Sequence, residues 1–136
     1  MTIEVVATND LMVGIPVVIE GGSPKGQFVA VFEDDGQTGY FYALDMSAVG
    51  NPIQDALHVY SVSQIADREI ASTVKIGWSG DSQKVVLLID NYPHAVFDFE
   101  SRQGYCRSAF PPISPSKDWS KDGHSWNDVA IEMLFR

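Results

Sequence analysis

Cysteine is nearly absent from this chain. Its 136 residues hold one, Cys106, which excludes an internal disulfide framework and agrees with a reducing compartment. Basic residues are scarce where acids are dense. Residues 1–67 hold nine acids and one base, Lys25, whereas residues 68–136 hold nine acids and eight bases. The net charge of −9 therefore sits almost wholly in the first half. Such a field repels nucleic acid and anionic membranes and attracts a basic partner. Acidity also serves plain solubility. No apolar run approaches the roughly 20 residues that span a bilayer. The stretch Met1 to Asp10 has neither the basic nor the apolar region of a signal peptide, so a cytoplasmic location is expected. No long repeat, low-complexity tract or linker divides the chain, and its length fits a single domain over residues 1–136. There is no phosphate-binding glycine loop, no G-x-S-x-G elbow and no H-E-x-x-H pair. No cofactor or metal is expected, and the balance leans away from an enzyme.

What is present is a β pattern. The chain is 45% hydrophobic and 11% aromatic, enough for a real core. Gln27 to Glu33 is almost continuously apolar, Asp34-Asp35-Gly36-Gln37 is a turn, and Thr38 to Leu44 alternates, with Tyr40, Tyr42 and Leu44 opposite Phe41 and Ala43. These make a hairpin. Leu57 to Val62 alternates again, with Leu57 and Val59 set against His58, Tyr60 and Val62. The stretch from Trp78 to Phe99 reads as strand, turn, buried strand, turn, strand. Expected strands are 27–33, 38–44, 57–62, 74–78, 84–90 and 94–99. Pro16 confines the Val13–Ile19 segment to an edge or bulge. Asn51-Pro52 reads as the start of a short helix. Ser108 to Gly123, with Pro111, Pro112 and Pro115, reads as irregular. At the C-terminus Trp126, Val129, Ala130, Met133 and Leu134 make a helical stripe behind a cap at Ser125. Val129, Ile131, Met133 and Phe135 also alternate as a strand would, and the cap signal favours the helix. The fold expected is mainly β or α+β: a single antiparallel, meander-rich sheet with a short C-terminal helix.

Few residues carry chemistry. The run Trp78-Ser-Gly-Asp-Ser-Gln-Lys84 resembles a blade of TolB-type β-propellers. Propellers need roughly four to eight blades, and no second copy exists, so Gly80-Asp81 reads as a tight turn. Glu33, Asp34 and Asp35 form the densest acidic point and, lacking EF-hand spacing, read as a turn with exposed carboxylates. With Tyr40 and Tyr42 beside them, they are the first place to look for a partner site. Cys106 could pair with His58, His94 or His124, with Asp98 orienting the base. A packed small thiol is the plainer reading. Tyr92, His94, Asp98, Arg102, Tyr105, Cys106 and Arg107 are the candidates for an alternative pocket. His58 and His94 lack metal-ligand spacing.

Three segments, Val31–Ala43, Asn91–Phe99 and Arg102–Pro112, resemble a family of small acidic bacterial proteins known as a domain of unknown function. The likeness runs from about Gln27 onward. It implies a bacterial, single-domain cytoplasmic protein and carries no activity or catalytic residue. The function expected is that of a non-enzymatic binding or accessory protein engaging a basic protein partner, as an immunity protein engages a toxin. A small-molecule binder or hydrolase using a His/Asp/Cys cluster is the second reading. A homodimer that consumes the aromatics is the third.

Overall fold

The computed structural model describes residues 3–113 and 118–135. Pro115 and residues 1 and 2 lie outside them. Among the described residues, nine strands form two antiparallel sheets rather than the single sheet expected. The first sheet is a plain meander: β2 (Val17–Gly22), β3 (Phe28–Asp34), β4 (Thr38–Asp45) and β5 (Ile53–Ser61) pair in chain order. The second pairs β1 (Ile3–Leu11) with β6 (Ser72–Ser79), then adds β7 (Lys84–Ile89), β8 (Tyr92–Asp98) and β9 (Gln103–Cys106). The β3–β4 hairpin and the β6–β7–β8 meander stand where the sequence pattern put them. Gly36 has φ +96°, the left-handed conformation its turn requires. Asp90 and Asn91, at φ 53° and 63°, make the primed turn that joins β7 to β8.

Two sheets arise because each alternating strand buries one side only, so each sheet needs an apolar partner. The inner faces meet through rings. Phe41 stacks on Phe97 at 5.2 Å, and Phe28 stacks on Phe99 at 4.2 Å. The Trp78 indole donates to the Gly21 carbonyl at 3.1 Å, a polar tie across the same interface. Phe32, Leu57, Val74, Ile76, Val85, Leu87 and Cys106 complete a fully buried centre. At the sides, β1 lies against β2 and β5 against β9.

Three local readings are corrected. Residues after Asn51 form β5, not a helix; the Asn51 Oδ1 accepts from Ile53 N at 3.0 Å and turns the chain into the strand. In β5 the register shifts, Gly39 facing Tyr60 and Tyr40 facing His58, so Val59 is an extra residue. That bulge sends Tyr60 and Val62 into the core with Leu57 and leaves His58 on the outer side. The C-terminal helix α1 (Asp128–Leu134) is capped by Asn127, whose side chain accepts from Ala130 N, rather than by Ser125. Among the described residues, no helix is long and apolar enough to cross a membrane.

The segment after β9 returns over the strand edges. His58 N donates to Phe110 O at 2.9 Å, Cys106 N to His124 O at 2.9 Å, and Ser120 N to Arg102 O at 2.9 Å. A buried cluster pins it. Asp55 of β5 accepts from Ser120 Oγ at 2.6 Å and lies 3.0 Å from His124 Nε2. His124 Nδ1 faces the Pro111 carbonyl at 2.7 Å. With an acceptor at each nitrogen, the ring satisfies both only when each carries a proton. Gly104 is required there, because a Cβ would come within 2.9 Å of Asp55 Oδ2.

Candidate binding face

The outer side of the first sheet is an open surface that carries polar and aromatic side chains. Odd-numbered β4 residues, Phe41 and Ala43 among them, go to the core, which leaves Tyr40 and Tyr42 outside. Across the strands Tyr40 faces Glu33 on one side and His58 on the other. The result is a ladder of rings: Tyr42 to Tyr40 at 5.9 Å, Tyr40 to His58 at 5.6 Å, His58 to Phe110 at 5.9 Å. Such spacings suit offset and edge-to-face packing. The Tyr42 hydroxyl donates to Glu33 Oε1 at 3.4 Å. Val18 and Glu20 of β2, both exposed, continue the face beyond Glu33 and Val31.

The ladder is neutral at its centre and negative at its border. Burial pushes the Tyr40 and Tyr42 phenols up, so both remain protonated donors. Burial pushes the His58 imidazole down. Its Nδ1 lies 3.0 Å from Ser108 Oγ and its Nε2 3.1 Å from Ser61 Oγ. Asp35 is held below the usual carboxylate range by the Thr38 and Gln37 amides. The four strands of this sheet contain Glu20, Glu33, Asp34, Asp45 and Asp55, and no lysine or arginine.

Asp34 does not belong to that border. It is 1% exposed. Its carboxylate accepts from Gly14 N and Gly36 N at 2.8 Å and from the Tyr60 hydroxyl at 2.6 Å. It ties the β1–β2 loop, the β3–β4 turn and β5 together. Of the five residues expected here, Glu33, Asp35, Tyr40 and Tyr42 share this region. Phe110 was missed and His58 was considered only as a nucleophile's base or a metal ligand. Their place in the ladder depends on the Val59 bulge and on the returning segment, neither of which alternation reveals.

The seven residues of the alternative pocket are divided. Cys106 faces the core and is fully buried, with its Sγ 3.4 Å from Phe110 O. Burial pushes the thiol up, away from the nucleophilic thiolate. Tyr105 and Arg107 alternate to the other side of that strand. There the Arg107 guanidinium lies between the Tyr92 ring, 4.6 Å away, and the Trp126 ring, 4.0 Å away. It also donates twice to Pro93 O at 3.1 Å. Tyr92 meets His94 edge-on at 5.5 Å. The His94 imidazole is pushed down by burial and then by Arg107. Asp98 is buried and caps its turn, accepting from Glu100 N at 3.0 Å and Ser101 Oγ at 2.7 Å. Arg102 pairs with Asp118 at 3.8 Å, both exposed. His124 belongs to Asp55, as above. Among the described residues, no group of three His, Cys, Asp or Glu side chains is placed to hold a metal ion.

Residues 11–135 match a family described as "Uncharacterized protein conserved in bacteria (DUF2251)". The chain belongs to this family. It is similar to an uncharacterized protein of Haemophilus influenzae, 39% identical over 115 residues that cover 84% of this chain and 71% of the relative. No solved structure matches. Family membership agrees with the resemblance carried by the three segments quoted above, and it brings no activity with it.

Proposed function

We propose that this protein is a non-enzymatic binding protein of the bacterial cytoplasm that holds a basic protein partner against the outer face of its first sheet. One observation carries the reading: a continuous ladder of rings lies open on a sheet whose strands have acids and no base. Aromatic rings supply rigid contact area and stack with guanidinium or ammonium groups. Bordering carboxylates steer a cationic partner and set its register. This is the chemistry by which an immunity protein neutralises a basic toxin. Burial of Cys106 and its separation from His94 argue against a thiol hydrolase.

The test is affinity capture from the source bacterium at low salt, using the wild type beside Tyr40→Ala and Glu33→Lys. A basic protein should be recovered by the wild type, lost with either variant and lost at high salt. Recovery of nothing basic, or capture unaffected by both variants, rejects the reading. A dimer in light scattering that Tyr40→Ala dissociates would instead assign the face to a second copy.

A further inference from the structure

Among the described residues the two sheets have four edges, and three of them are covered or bent. The β9 edge is bridged to Ser125, and Cys106 N donates to His124 O at 2.9 Å. The β5 edge meets the returning segment, where His58 N donates to Phe110 O at 2.9 Å. The β1 edge is bulged at Val6, an extra residue between Val5 and Ala7 in the register with β6. β2 pairs with β3 without a shift. Its other side carries no ladder, for β1 lies against it from the second sheet.

Hydrogen-bond parity decides which groups of β2 are left open. Ser23 N donates to Phe28 O at 2.9 Å, one step beyond Gly22 opposite Val29. Asp35 N donates to Thr38 O at 3.1 Å, one step beyond Asp34 opposite Gly39. Bonded pairs recur at every second residue of an antiparallel ladder. Odd residues of β3 therefore serve β4, even ones serve β2, and Val17, Ile19 and Gly21 are their partners. Val18, Glu20 and Gly22 turn N–H and C=O to the open edge. Among the described residues those groups have no partner. Pro16 shares their parity, so its missing N–H removes nothing from the β2–β3 ladder. All three residues are exposed. Val18 extends the row of Glu33, Tyr40 and His58, and Glu20 the row of Val31, Tyr42 and Ala56.

An open edge is a template for another strand, and its charge selects which. Among the described residues the Glu20 carboxylate has no partner. β1 alongside adds Glu4 and Asp10, both exposed, and neither strand has a base. Lys25 lies in the turn after β2, and Arg68 lies past the other end with Met12 to Ile15, beside Glu69. A second copy paired antiparallel through all three residues would set Glu20 against its own equivalent, a like-charge pair. We infer that the β2 edge accepts an extended segment of the basic partner as an added antiparallel strand, bonded to Val18, Glu20 and Gly22, with a lysine or arginine opposite Glu20. Antiparallel pairing continues the pattern of this sheet. The partner's charge rests on the reading above, whereas the open edge does not.

The experiment is an amide NMR titration of the full chain with the acetylated, amidated peptide Thr-Lys-Val-Lys-Val-Lys-Val-Thr, read by shifts and by hydrogen exchange. In the free protein the Ile19 and Gly21 amides should be protected, and those of Val18, Glu20 and Gly22 should exchange freely. The peptide should give saturable shifts and protect these three. N-methylation of its lysine amides, which face β2 in this pairing, should abolish binding; N-methylation of its valine amides should not. Glutamate in place of the lysines should weaken binding about tenfold, and Glu20→Gln about threefold. Tyr40→Ala should leave the peptide bound, so failure of the ring ladder and failure of the edge appear in different measurements. No saturable shift at the three amides, indifference to lysine methylation, or equal binding of the glutamate peptide would each overturn the inference. Protection of the same amides that rises with protein concentration alone would assign the edge to a second copy and overturn it as well.

Discussion

The outer faces of the two sheets differ in kind. On the second sheet the outward row runs through Gly77, Val86 and Val96 in register, and all three are buried. Ile3 of β1 presses over Gly77, where a Cβ would meet its Cγ2. Lys84, also on that side, is buried and pairs with Asp81 at 3.5 Å and Glu100 at 3.8 Å. On the first sheet no outward residue of β2, β3, β4 or β5 is buried. The central row of the second sheet's outer side is buried, whereas the outward residues of the first sheet are half-buried or exposed. Rings in the closed region are spent on internal clamps, such as Tyr92 and Trp126 around Arg107. Rings in the open region pack on one another and touch Glu33, Ser61 and Ser108 at their edges.

The largest effect expected in breaking this contrast lies at neither face. Asp55→Ala removes the carboxylate that Ser120 Oγ and His124 Nε2 share, taking one buried partner from each. It should cost about 3–5 kcal/mol in urea unfolding, and a loss under about 1 kcal/mol would mean that the cluster does not hold the returning segment. Next comes Tyr60→Phe, which strips one donor from buried Asp34 and should cost about 1–3 kcal/mol. Because that carboxylate is internal, the variant should still capture the partner.

The two faces are then compared directly. Val96→Ala on the closed face should cost about 2 kcal/mol, whereas Tyr42→Ala on the open face should cost under about 1 kcal/mol and act on binding instead. Equal costs would show that the faces do not differ. Acidification sharpens the contrast further. His58 and His94, one on each face, are both pushed down, so below about pH 6.5 the unfolded chain takes up protons that the folded chain refuses. Thermal melts between about pH 7 and pH 5 should therefore show His58→Gln and His94→Gln each losing less stability on acidification than the wild type. The smallest effect is at Cys106. A thiol reagent at neutral pH should leave the native protein unlabelled and react only on unfolding. Rapid native labelling would contradict its burial.

How much of this could be read from residues alone depends on how local the cause is. The β3–β4 hairpin was legible because Asp-Gly turn chemistry and strict alternation act within a few residues. β1 was not, because Glu4, Val5 and Val6 in succession are all exposed and carry no clean period. β9 was hidden in a short stretch interrupted by Gly104. Asn51 was misread because one side chain turns a chain into a strand or caps a helix with the same hydrogen bond to backbone. Within the binding region, Tyr40 and Tyr42 were legible by parity. Asp34 was not, since its neighbours Glu33 and Asp35 share its chemistry, and only the approach of Tyr60 and Gly14 buries it.

Composition and alternation determined by themselves that this is a β protein with its charge excess in the first half, and which side chains of each strand travel together. Tertiary structure alone decided that the strands divide into two facing sheets, that Val59 bulges and turns His58 outward, and that Asp55 meets His124. A period of two says which residues share a face. It does not say what that face will meet, because pairing between distant strands is settled by the shape of the joint core.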